Sequence, residues 1–370
     1  MLLFSSLKLF AIAAVACLAL AGIILFFISR RKLMRNGYFT LPTVILIVIG
    51  LFIAFQAIGG GAVVAAVGLN IDEHPLIALI LNGLAEILVM LIGSVLISLA
   101  ARQHPFAVFR LEGISETPYS AYLLAVPIIL TAQIAGGAIS GLWVRTLKFF
   151  PDIYSTLDKY ETASDKALEG LVTAHGLLDF VLIFFFVAVV PAFAEETLFR
   201  GFAQSNIERS GKSHSRPYVA LFAASILFAL IHGSMFKLPG LLMLGLALGW
   251  MAYRTNNLFV GALAHAANNG FIVIALYLFP DQINSKANQS LVATDELPAM
   301  QALEILLFVV PFLALLLFLF QRTTSNLHSR DNSEHDVQQH IALAKQNGSG
   351  LWPLNDDPEN GHHDLNDKNE

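Results

Sequence analysis

Residues 43–68 read TVILIVIGLFIAFQAIGGGAVVAAVG, a stretch without a single charged side chain. A helix of about 20 mostly apolar residues is long enough to cross the hydrocarbon core of a bilayer. Similar stretches recur along the chain, and we predict membrane-spanning helices near residues 8–29, 43–68, 76–101, 119–144, 171–200, 217–236, 238–253, 258–280 and 298–321. The predicted fold class is therefore all-α, a polytopic transmembrane helix bundle with about nine spans.

The composition fits a chain that is surrounded mostly by lipid. Hydrophobic residues make up 56% of the chain and charged residues 13%, and the mean hydropathy is +0.67. A soluble domain carries about a quarter charged residues, so half that fraction cannot cover a surface that faces water. The net charge of -5 argues against a nucleic-acid partner. The one cysteine, Cys17, excludes an internal disulfide and a cysteine-based metal site.

Basic residues flank alternate connections between the predicted spans. Lysine and arginine in short loops mark the cytoplasmic side of a membrane protein. We therefore predict a multi-pass integral membrane protein with a cytoplasmic C-terminus, and the short loops and composition favour a bacterial cytoplasmic membrane. The residues that carry this prediction are Arg30, Arg31, Lys32, Arg35, Arg102, Arg110, Arg209, Lys212, Arg216, Arg254 and Arg322.

The chain divides into five predicted regions. N-terminal transmembrane helices occupy residues 1–150, and a mixed-charge extracytoplasmic loop follows at 151–170. Residues 171–280 form the predicted core, and 281–322 hold the last loop and span. Residues 323–370 are rich in Asn, Asp, Glu, His and Ser with little apolar periodicity, so they are predicted to be a disordered acidic tail.

Ionisable side chains inside spans are costly, and each is a hypothesis for a functional site. Glu195 and Glu196 are adjacent, so on a helix they point about 100° apart and cannot both face one small cavity. Glu196 and Arg200 are four residues apart on one face, and their pairing leaves Glu195 free. Glu195 and His232 are nearly equidistant from the polar turn at 212–215, so a hairpin of two helices places them opposite each other.

The eighth predicted span carries a second polar face. His265 and Asn269 are four residues apart and share one side of a helix, and Asn268 is a weaker candidate for the same role. Other ionisable residues inside or near spans could line a cavity or pair with one another: Glu86, His175, Asp179 and Glu304.

Three short segments, each on an apolar span, carry a family resemblance. In chain order they are Glu195-Glu196-xxx-Arg200, Phe228-xxx-His232 and His265-xxx-Asn269. Together they resemble the motifs of the CAAX-protease and bacteriocin-processing (CPBP, Abi) family of intramembrane proteases. That family includes the type II CAAX prenyl endopeptidases. The resemblance covers roughly residues 170–280.

The resemblance implies an intramembrane endopeptidase, with membrane lipid around it and a membrane-anchored peptide or protein as its substrate. Glu195 would be the general base, and His232 would position and polarise the attacking water. His265 and Asn269 would donate to the oxyanion. Glu196, Arg200 and Phe228 would be structural. No cofactor is required in this preferred mechanism.

Alternatives to this reading remain open. A divalent metal such as zinc could be held by Glu195, His232 and His265, since catalytic zinc takes three N or O ligands plus water. The usual His-Glu-xx-His signature is absent. A non-catalytic immunity or scaffold protein of the same fold would keep the motifs. A transporter would use the same residues as an ion relay, but it should show internal repeats, and none is evident.

Overall fold

The computed structural model of the chain describes residues 33–68, 73–211, 213, 215–279 and 298–327, and for 166–170 only the helical backbone. A β-hairpin of two short antiparallel strands, β1 (Met34–Arg35) and β2 (Tyr38–Phe39), precedes the first long helix. The helices are α1 (Leu41–Val67), α2 (Pro75–Ala100), α3 (Pro105–Val108), α4 (Tyr119–Leu147), α5 (Pro151–Val172), α6 (Leu177–Arg209), α7 (Arg216–Ile231), α8 (Leu238–Thr255), α9 (Leu258–Leu278) and α10 (Ala299–Thr323).

Six of the described helices are long and apolar enough to cross a membrane: α1, α2, α4, α6, α9 and α10. The predicted polytopic helix bundle is thereby confirmed. The predicted span 8–29 lies outside the described residues. The predicted spans 217–236 and 238–253 form α7, with 16 residues, and α8, with 18 residues, and neither is among the six. The total of nine spans stays a prediction.

Two predicted boundaries differ from the structure for identifiable reasons. The predicted span 217–236 ends early, because Gly233 has a positive φ of 71° that turns the chain out of the helix. The predicted span 171–200 begins at Leu177 and continues to Arg209. The helix continues through polar residues because they find partners inside the bundle: fully buried Asn206 accepts hydrogen bonds from Phe39 N and Gln103 Nε2.

The stretch 151–170 was predicted as a loop, and it does connect two spanning helices, but it does so as the helix α5. Pro151 in the first turn has its φ preset for a helix, and Asp152 complements the positive helix start. At the other end of the chain, α10 ends at Thr323, and of the predicted tail only residues 323–327 are described.

The predicted basic connections meet at one end of the bundle. Arg110, after α2, lies 2.6 Å from Glu208 near the end of α6. Glu112 is 3.4 Å from Arg209 and also accepts a hydrogen bond from Asn256, which follows α8. Further contacts at this end join Gln103 to Gly37 and Arg254 to Thr324. The connections that the charge pattern assigns to one side therefore do lie together.

We expect this end to face the cytoplasm. With Cys17 replaced by serine, a membrane-impermeant maleimide applied to intact cells should label Lys159→Cys on α5 and leave Ser213→Cys unlabelled until the cells are opened. Both positions are exposed, so accessibility in the folded protein does not bias the comparison. The reverse labelling pattern would show that the orientation is wrong.

Helices α4 and α8 approach each other closely through glycine. A Cβ at Gly136 would stand 2.9 Å from the Cα of Gly240, and a Cβ at Gly240 would stand 2.9 Å from the carbonyl oxygen of Gly136. Small residues allow such backbone contact between membrane helices. This contact packs α8 directly against α4.

Gly136→Leu should lower the melting temperature in detergent, because overpacking against backbone costs about 1–3 kcal/mol or more. Gly50→Leu is the matched control: it makes the same change in a spanning helix, where a Cβ meets nothing within 4 Å. Equal melting temperatures for the two variants would contradict the close α4–α8 contact.

Candidate active site

Helix α6 presents its two adjacent glutamates to different neighbours. Glu195 Oε2 lies 3.9 Å from His232 Nε2 at the end of α7. Glu196 Oε1 lies 2.8 Å from Arg200 Nη1 on its own helix. The predicted pairing of Glu196 with Arg200 is therefore confirmed, as is the predicted position of Glu195 opposite His232.

The helix changes geometry directly after the glutamates. Thr197–Gln204 is π-helical, and all of its residues are buried. Within it, Arg200 Nη2 donates to Gly245 O at 3.1 Å, and Gln204 Nε2 donates to Gly249 O at 2.9 Å. A carbonyl oxygen in a helix keeps a second lone pair, and at these two glycines on α8 it accepts from the side chains of α6. Single π-helical turns occur frequently at functional sites.

Glu196 joins two helices, α6 and α9. Its Oε1 is 2.8 Å from Arg200 Nη1 and 3.0 Å from His265 Nδ1 on α9, and the side chain is fully buried. A Cβ at Gly261 would stand 2.9 Å from Glu196 Oε2, so a side chain there would displace this carboxylate. The contact with His265 was not predicted from sequence, because it joins residues on helices that are far apart in the chain.

The two histidines differ in burial and in hydrogen-bond partner. His265 is 6% exposed, and its Nδ1 proton is donated to a carboxylate. His232 is 29% exposed, and its Nδ1 lies 2.7 Å from the carbonyl oxygen of Phe228. Since a carbonyl only accepts, Nδ1 of His232 carries the proton, and Nε2 of the neutral ring is left with a lone pair. That Nε2 is the atom nearest to Glu195.

Phe228 contacts both histidines and Arg200. Its ring centroid is 4.6 Å from the ring of His232 and 5.9 Å from the ring of His265, which it meets edge to face. The guanidinium of Arg200 lies 4.5 Å from the same ring centroid, in range of a cation–π interaction. The structural role of Phe228 stays a prediction.

Asn269 connects α9 to α6 one turn beyond His265. Its Nδ2 donates to Val187 O at 3.2 Å, and its Oδ1 accepts from Asn268 Nδ2 at 3.3 Å. An amide nitrogen has two hydrogens, so one N–H of Asn269 remains for another acceptor.

All of these residues lie in one continuous part of the chain. Residues 177–271 match the protein-family model described as type II CAAX prenyl endopeptidase Rce1-like. This part of the chain is therefore similar to Rce1-like domains. The match covers 177–271 of 370 residues and confirms the resemblance drawn from the three short segments. No curated protein and no solved structure matches the chain.

One further carboxylate reaches the Rce1-like site from outside the matched residues. Glu86 on α2 is 5% exposed and interacts electrostatically with Glu195. The other ionisable residues noted in the sequence lie elsewhere: Glu304 is exposed on α10, and Asp179 accepts a hydrogen bond from His175 N at the start of α6. The N-terminal helices thus contribute to the site, although the three motifs all lie beyond residue 150.

The alternative metal site is not assembled in this arrangement. Within the described part of the chain, no three His, Cys, Asp or Glu side chains come close enough together to hold a metal ion. Glu195 and His232 face each other, but His265 is engaged with Glu196. These residues therefore do not fit a three-ligand zinc site as they stand, and the catalytic roles of all of them stay predictions.

Glu196→Gln should destabilise the Rce1-like domain, because it leaves the buried guanidinium of Arg200 without its counter-charge. Removing one partner of a buried ion pair typically costs about 3–5 kcal/mol. Thermal unfolding in detergent measures the loss. Glu112→Gln is the control, since it removes a carboxylate whose ion pair with Arg209 is largely exposed to solvent, and we expect it to change stability little. Equal effects would contradict a structural role for Glu196.

Proposed function

We propose that the protein is an intramembrane endopeptidase that hydrolyses peptide bonds of membrane-associated peptides or proteins with water activated by Glu195 and His232. Six of the described helices are long and apolar enough to cross a membrane, and residues 177–271 are similar to the type II CAAX prenyl endopeptidases. The observation that carries the proposal is the 3.9 Å separation of Glu195 Oε2 and His232 Nε2 within those residues.

The first step is the activation of water. A water oxygen about 2.8 Å from both Glu195 Oε2 and His232 Nε2 would lie to one side of the line that joins them. Both atoms accept, so each would take one hydrogen of the water, and an oxygen lone pair would point away from them. Glu195 removes one of these protons as the oxygen attacks the scissile carbonyl carbon.

The second step is the stabilisation of the tetrahedral oxyanion. The free N–H of Asn269 is one donor for it. His265 is the other: it donates from Nε2 when its ring carries both protons, with the Glu196 carboxylate as the partner of the Nδ1 proton. Removing one donor of this kind typically costs about 100–1000-fold in rate.

The third step is the release of the amine. Glu195 returns the proton to the peptide nitrogen, the C–N bond breaks, and the products are a carboxylic acid and an amine. Glu195 then regains its starting form, so no external proton donor is required. The position of Glu195 on the spanning helix α6, with His265 on the spanning helix α9, supports a substrate that is held at the membrane.

Glu195→Gln tests this mechanism, because glutamine has nearly the same shape and cannot take the proton. We expect cleavage of a membrane-anchored peptide library by the purified protein to fall by about 100-fold or more, in line with the loss of a general base. The melting temperature should stay close to that of wild type. Glu112→Gln controls for the loss of one carboxylate far from the site.

The same samples should be assayed for bound metal and after dialysis against a chelator. Activity that disappears with the metal and returns with it would replace the metal-free mechanism. Cleavage by Glu195→Gln at the wild-type rate would remove Glu195 from the reaction. Full biological activity of that variant would favour a binding role instead.

A further inference from the structure

Helix α5 makes an unusual contact with the rest of the protein. A helix that lies on a bundle normally buries an apolar stripe. Tyr154 and Leu157 near the start of α5 pack against the bundle while only partly buried, and among the residues of α5 whose burial is described Glu161 alone is buried, at 7% exposure. A buried carboxylate is costly unless it is paired and hydrogen-bonded. The partners of Glu161 therefore indicate what the helix is fastened to.

Those partners lie in the loop between α7 and α8, which begins at His232. Glu161 Oε1 accepts a hydrogen bond from Ser234 Oγ at 2.6 Å and lies 3.2 Å from Lys237 Nζ. Ser234 Oγ in turn accepts from the backbone N–H of Lys237 at 3.0 Å. Asp165, one turn further along α5, is 2.6 Å from Lys237 Nζ. The contacts form a closed ring that fixes both ends of the loop segment 234–237.

Lys237 remains charged in this ring. Burial by itself would lower the pKa of Lys237, but the hydrogen bond and the charge of Asp165, together with those of Glu161, outweigh it and raise the pKa. A raised lysine pKa means that the ion pair persists through neutral pH and is lost only as the pH rises through that value.

Aromatic contacts attach the same loop to its surroundings. Trp143 Nε1 donates to Met235 O at 2.9 Å, and the ring of Tyr154 stacks on Phe236 with centroids 5.5 Å apart. These contacts involve Met235 and Phe236, in the middle of the loop. Glu161 acts on Ser234, which is two residues from His232, with only Gly233 between them.

Gly233 links the position of His232 to the contacts that Ser234 makes. Its φ of 71° lies in the left-handed region, so the chain turns sharply directly after the histidine. His232 is held from the side of α7 by its contacts with Phe228, and from the other side, since glycine has no side chain to hold the turn, by where Ser234 is fixed. We therefore expect the 3.9 Å distance between His232 Nε2 and Glu195 Oε2 to change when Ser234 loses its hydrogen bond to Glu161.

We propose that Glu161 is a positioning residue of the peptidase: through Ser234 and Lys237 it holds the loop that fixes His232 against Glu195. The proposal rests on the proposed function for its catalytic consequence. A displacement of about 1 Å in a catalytic group, caused by a change remote from the chemistry, can cost about 100-fold in rate.

The test compares Glu161→Ala, Glu161→Gln and the control Asp152→Asn, which removes an exposed charge from the same helix without touching the loop. We expect Glu161→Ala to lower kcat by about 10–100-fold with little change in KM, because the group it displaces acts on the water. Glu161→Gln should recover part of the loss, since its amide oxygen can still accept from Ser234. The control should match wild type.

A double-mutant cycle separates positioning from general damage. In a His232→Ala background, Glu161→Ala should cause no further loss of kcat, because the residue through which it acts is already gone. The same fold-loss in both backgrounds, or a wild-type kcat for Glu161→Ala, would overturn the proposal.

Hydrogen exchange supplies a readout that does not depend on activity. The backbone amides of residues 233–237 should exchange faster in Glu161→Ala than in wild type, and more so than amides elsewhere in the protein. Unchanged exchange in this loop would overturn the proposal. If wild type cleaves no substrate, the proposed function fails while exchange still decides whether Glu161 holds the loop.

Discussion

Glu196 and Arg200 form an ion pair in a place where neither charge has water around it, and the site is organised around that pair. Taking two charges out of water is costly, and the cost is offset only when the geometry is good and the remaining polar atoms find partners. The guanidinium finds Gly245 O on α8 and the ring of Phe228 on α7, and the carboxylate finds His265 on α9. A shift of these helices against α6 would break the contacts to Gly245 O, Phe228 or His265, while Glu196 and Arg200, both on α6, would remain paired with each other.

This constraint separates the roles of neighbouring residues. Because Glu196 is held by Arg200 and His265, the adjacent Glu195 is the carboxylate that remains to face His232. The histidines differ in the same way, since one has a carboxylate partner deep in the bundle and the other has a carbonyl partner and more solvent. One member of each pair thus has its partner deep in the bundle, and the other two face each other, with Glu195 Oε2 buried and without a hydrogen-bond partner of its own.

The two ends of the bundle are built differently. At one end, basic residues that the charge pattern assigns to a single side form ion pairs and hydrogen bonds across the connections, such as Arg110 with Glu208. Towards the other end, the charged helix α5 lies on the loop that follows His232 and is attached by Glu161 and Asp165. Hydrophobic spans set the overall bundle, while polar contacts at its ends decide how the connecting segments lie.

The sequence by itself determined the class of fold, the residues of the three motifs and the sorting of Glu195 from Glu196. These follow from local rules: apolar length, charge flanking the spans, and the angle between successive residues on a helix. Only the tertiary structure decided that His265 bonds to Glu196, that Glu86 approaches Glu195, and that Glu161 holds the loop after His232. Each of these contacts joins residues far apart in the chain, and helix periodicity carries no information about which faces of distant helices pack together.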